Sequence, residues 1–93
     1  MSDKRSSYRI SEILDNNEIE FILDTFKTED VATSGFVYLE EKIRNDEDLA
    51  PLDVRFLSNL AIQMYEEYYG DNWSKLVFKI AGAYKTMEGA NIY

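Results

Sequence analysis

The sequence predicts a small all-α protein: a bundle of three to four helices closed by a C-terminal helical hairpin over about 52–69 and 72–88. Three observations carry this. Phe56, Leu57, Leu60, Met64 and Tyr68 recur at helical spacing, with Ala61 and Tyr65 beside them. Trp73, Leu76, Val77, Ile80, Ala81, Tyr84 and Met87 repeat the pattern more cleanly in the next segment. Only one stretch, Phe36 to Leu39, could be a strand, and it has no second strand to pair with.

Composition sets the limits. Ninety-three residues make one domain, and an apolar fraction of 45% with 14% aromatics is that of a folded globule. The chain has no cysteine and no histidine. Disulfides, thiolate metal sites, His-based zinc sites and His-assisted nucleophiles are therefore excluded. No apolar run approaches the roughly 20 residues of a membrane span, and the basic N-terminus has no apolar core behind it, so the expected location is cytoplasmic.

In chain order, residues 1–9 read as a flexible polar arm, 10–89 as the single helical domain and 90–93 as a tail. Ser11 is a candidate cap for a first turn. Asn17 is a second, with Glu20 in capping-box position three residues on. Ile13, Leu14, Phe21, Ile22 and Phe26 then share a face, as one helix or as two broken at Asn16–Asn17. A third helix is expected from Thr33 or Ser34, with Glu40 and Arg44 paired at i,i+4. Asn45 to Asp48 is an acidic loop without the glycine and ligand spacing of a calcium site, so no metal is expected.

Pro51 suits the first turn of the hairpin's first helix, and Asp53 adds favourable charge there. Gly70 is expected to stop that helix in the left-handed conformation, with Asp71 or Asn72 capping the next. Gly82, inside the last helix, costs about 1 kcal/mol unless it allows a close helix–helix approach. The stretch Tyr68 to Leu76, YYGDNWSKL, resembles the tyrosine–glycine–asparagine segment of barstar-like ribonuclease inhibitors, acidic proteins of about this size. In that family the segment lies in the first half of the chain, and acids on the following helix bind the nuclease. Here it lies near the C-terminus, and Ser74 and Phe78 occupy the positions of those acids. With no parallel sheet predicted, the resemblance carries over a helix-to-helix turn and no more.

Chemistry has little to use. Glu66 and Glu67 are adjacent and point about 100° apart on a helix, so they form no facing carboxylate pair. The four glycines are scattered and make no phosphate loop. No enzymatic activity and no cofactor are expected. Charge is segregated: residues 10–71 hold sixteen acids against Lys27, Lys42, Arg44 and Arg55, whereas both ends are slightly basic. That acidic middle opposes direct binding to nucleic acid or anionic membranes and attracts a basic protein.

The expected function is that of an acidic binding protein that inhibits or modulates a macromolecule. A phage or mobile-element inhibitor of a host defence or nucleic-acid enzyme fits its size and charge, with DNA mimicry as one mode. Partner-binding candidates are Tyr65, Glu66, Glu67, Tyr69 and Asp71 around the hairpin turn, with Glu40, Glu41, Asp46, Glu47 and Asp48 further back. The alternative is a self-associating structural or assembly/chaperone protein, in which the acidic middle meets the basic last helix in a homodimer.

Overall fold

A computed structural model describes residues 5–28, 37–68 and 70–87, with the backbone alone described at 28, 37 and 68. Among the described residues the chain forms five helices and no strand: α1 (Ile10–Ile13), α2 (Asn16–Thr28), α3 (Val37–Arg44), α4 (Pro51–Tyr68) and α5 (Asp71–Lys85). The fold is the expected all-α bundle, with α1 a single turn ahead of four longer helices. The strand alternative disappears over Val37–Leu39, where α3 is already helical. The expected start near Thr33 and the tail at 90–93 lie outside the described residues; the last helix, expected to run to 88, ends at Lys85 with Thr86 as its C-cap.

Carboxylates set the starts of the early helices, at positions other than those expected. Glu12 accepts the Arg9 N–H at 2.9 Å and starts α1. Ser11 is not a cap: its N–H and hydroxyl donate to Asp46 at 3.2 and 2.9 Å. At α2, Asp15 and Glu18 accept each other's backbone N–H, both at 2.9 Å. This is a reciprocal capping box two residues before the Asn17–Glu20 pair. The break between α1 and α2 thus falls at extended Leu14, not at Asn16–Asn17. Starting at Asn16 buries Ile22 and Phe26 on one face.

Helix α3 ends through backbone geometry. Asp46 has φ 53°, the left-handed conformation that commonly follows a helix. The Glu47 N–H reaches the Lys42 carbonyl at 2.9 Å and the Asp46 N–H reaches that of Ile43 at 3.2 Å. These two bonds satisfy carbonyls that a helix end otherwise leaves open. Leu49 then enters the core fully buried, exchanging backbone bonds with Tyr8 at 2.7 and 3.1 Å.

The stretch expected as an arm is in contact with the body over 5–9. The Arg5 N–H donates to the Thr86 carbonyl at 3.1 Å, and the Tyr8 hydroxyl lies 2.7 Å from Thr86 Oγ1. The Arg5 guanidinium contacts both Glu12 oxygens at 2.9 Å and stacks 4.1 Å from the Tyr8 ring centre. The N-terminal segment therefore bridges α5's end and the α3–α4 connection.

The α4–α5 hairpin supplies half of the buried apolar side chains among the described residues, eight of sixteen. Its bounds fall within three residues of the expected ones, the scatter usual at frayed ends. Trp73, Leu76 and Ile80 are buried on α5, and Phe21 of α2 meets the Trp73 ring at 4.9 Å between centroids. On α4 the buried stripe is Val54, Leu57, Leu60, Ala61 and Met64, whereas Phe56 is 37% exposed. The expected stripe was rotated toward Phe56. Both sets have helical spacing, so hydrophobicity alone did not choose between them.

Two glycine readings are corrected. Gly70 has φ −90° and ψ 140°, ordinary extended backbone, and is the N-cap of α5. Its carbonyl accepts from Trp73 and Ser74 at 3.1 and 3.2 Å, so Asp71 is the first helical residue and neither Asp71 nor Asn72 caps. Gly82 is exposed, with nothing within 4 Å of where a Cβ would stand. No close approach to a helix of the same chain occurs there among the described residues.

Candidate functional site

The acids of this chain divide by what they touch. Asp53 is 6% exposed, and its Oδ2 accepts from the Ala50 N–H at 3.0 Å and Lys42 Nζ at 2.9 Å. It completes α4's N-terminus and joins α3 to α4 with one oxygen. That bond holds the Lys42 ammonium above its ordinary pKa. The same carboxylate, after burial, raises the Tyr38 phenol. Glu18 contacts Lys79 Nζ with both oxygens at 2.8 and 2.7 Å, fastening α2 to α5 and raising the Lys79 pKa. Hydrogen bonds from the Arg9 backbone and then from Arg5 hold Glu12 below its ordinary value.

Of the acids proposed for recognition, Asp46 belongs to this engaged group: it bonds Ser11 and lies 3.9 Å from Arg9. Glu40 pairs with Arg44 at 2.6 Å, the expected i,i+4 contact, and its side chain is only 19% exposed. Glu41, Glu47 and Asp48 are exposed beside it. Glu40, Glu41, Arg44 and Asn45 line an open groove of about 400 Å³.

The second group is at the far end of α4. Tyr65 is 42% exposed, and Glu66, Glu67 and Asp71 are exposed and form no ion pair among the described residues. Tyr69 lies outside the described residues. Glu66 and Glu67 stand in the last turn of α4, which contains no basic residue. Exposed carbonyls concentrate negative potential at that end of a helix, so acids there are locally unfavourable. Along α4, Asp53 and Glu66 are thirteen residues apart, roughly 20 Å.

A second cleft, of about 210 Å³, lies between the starts of α2 and α5, lined by Asn17, Glu18, Phe21, Asn72, Lys75 and Leu76. No group of three or more metal-ligating side chains occurs among the described residues, and no described helix is long and apolar enough to cross a membrane. Phe78, not among the expected partner-binding residues, is 77% exposed at the middle of α5. The signal was available: Phe78 lies off the core stripe, between Val77 and Lys79. No family model, curated protein or solved structure matches this chain.

Proposed function

We propose that the protein is a non-enzymatic acidic binder whose recognition surface is the rim of the α4–α5 turn, built from Tyr65, Glu66, Glu67 and Asp71. One observation carries the reading. Two adjacent carboxylates occupy the turn of α4 where the helix disfavours them, exposed and without an ion-pair partner among the described residues. Glu12, Asp15, Glu18 and Asp53 cap helices or cross-link them, whereas this pair stands against local stability. Features that oppose stability concentrate where function requires them. Tyr65 adds an exposed aromatic of the kind enriched in interface hot spots.

The partner is a basic protein, of the sort that handles nucleic acid, and the protein acts by occupying its cationic surface. An inhibitor encoded by a phage or mobile element fits that role by type. The test is affinity capture from host extract with the wild type and with Glu66→Lys/Glu67→Lys. The expected result is a basic protein retained by the wild type, lost from the variant, and released at about 0.5 M salt. Displacement of that partner by duplex DNA would identify the mode as mimicry. Identical captures by both proteins, or no specific capture, would end this reading. A second reading, self-association, is favoured by exposed Phe78.

A further inference from the structure

We propose that the outer face of α5 is the contact surface for a second copy of this chain, paired antiparallel about Phe78. This goes beyond the recognition rim, with which it shares Asp71 alone, and rests on Phe78 and Lys85 outside it. Helix α5 runs Asp71–Lys85, and Phe78 is its midpoint. Asp71, Phe78 and Lys85 are spaced by seven residues, so they fall nearly in line on a helix. Ser74 and Gly82, four residues to either side of Phe78, share that stripe. The stripe points away from the face that buries Trp73, Leu76 and Ile80.

The stripe is complementary to itself in one orientation. A two-fold axis at Phe78 places each residue 78+n opposite residue 78−n of the other copy. Lys85 then faces Asp71 of the second copy, and the reverse pair closes the other end. Neither residue forms an ion pair among the described residues. Gly82 faces Ser74, two small residues that let the backbones approach around the two phenyl rings. At Gly82 the space for that approach is open. The parallel arrangement would set Lys85 on Lys85 and Asp71 on Asp71, which is repulsive. Lys79 is held aside by Glu18 and does not enter the seam.

A seam of one helix per copy is at the small end of specific interfaces, roughly 1,200 Å² or less, so the dimer should be concentration-dependent. Sedimentation equilibrium of the full chain from about 10 µM to about 1 mM tests it. The wild type should shift from monomer to dimer. Phe78→Asp should weaken the association by about 30-fold or more while leaving the circular dichroism unchanged. Asp71→Lys and Lys85→Asp should each weaken it, and the double exchange should restore it, because the exchanged charges again meet opposites. A monomeric wild type, a dimer indifferent to Phe78→Asp, or a double exchange weaker than both single variants would overturn the proposal. Phe78→Asp and Lys85→Asp leave all four rim residues in place, so partner capture by these two variants fails or survives separately from the dimer.

Discussion

The region where α3 meets α4 and the turn that joins α4 to α5 are both rich in acids. Asp46 and Asp53 of the first are put to the opposite use from Glu66 and Glu67 of the second, while Glu41, Glu47 and Asp48 of the first also face solvent. At the first, Asp53 is buried against Lys42 and a helix N-terminus, and Asp46 holds Ser11 across the α1–α3 junction. At the second, Glu66 and Glu67 face solvent from a helix C-terminus. The residue type is the same; the local field differs. An acid near free N–H groups or a cation stabilises the fold, whereas an acid near free carbonyls does not. Net charge therefore says little about which carboxylates are available to a partner.

That contrast can be broken by substitution. The largest effect is expected at Asp53→Ala, which leaves the Ala50 N–H unbonded and Lys42 without its anion. A loss of about 2–4 kcal/mol should appear in urea unfolding. Glu18→Ala removes both an α2 cap and the link to Lys79, and about 1–2 kcal/mol should follow. Glu66→Lys/Glu67→Lys reverses the sign: the unfolding free energy should rise slightly, by about 0.3–1 kcal/mol per site, because lysine suits a helix C-terminus. The smallest change belongs to Gly70→Ser. Extended Gly70 should accept a side chain within a few tenths of a kcal/mol, whereas the left-handed reading would require a loss of roughly 1 kcal/mol.

The engaged group also defines the pH limits. Lys42 and Lys79 have folded pKa values raised above the ordinary 10.5 by Asp53 and Glu18. Their contribution is complete below that value and is lost as pH climbs through the raised one. Tyr38, raised chiefly by burial, acts in the same direction above 10.0. Glu12 is lowered from 4.5, so its contribution is present above that value and lost on acidification. Equilibrium unfolding should therefore show a plateau across neutral pH with losses at both ends. Replacing Glu12 by Gln should flatten the acid limb, and replacing Lys79 by Met the alkaline one.

Much of the fold was legible because the period of α4 and α5 is strong and their ends are marked by Pro51 and Gly70. The rotation of α4 was not. Phe56 outranks Val54 in size, but Asp53 must reach both Ala50 and Lys42, and Leu49 is fixed by Tyr8. Those tertiary constraints turn Val54 inward. The α2 start was missed for a related reason: Asp15-x-x-Glu18 and Asn17-x-x-Glu20 satisfy the same spacing, and only packing separates them. Within the candidate site, Glu66 and Glu67 were readable as outward residues. The engagement of Asp46 was not, because its partner Ser11 lies thirty-five residues away.

The difference between engaged and free acids is measured most directly by urea unfolding of two double variants at low protein concentration. Glu18→Ala/Asp53→Ala should lose at least about 3 kcal/mol, while Glu66→Gln/Glu67→Gln should stay within about 0.5 kcal/mol of the wild type or exceed it. A rim variant that loses as much as the engaged pair would contradict the account.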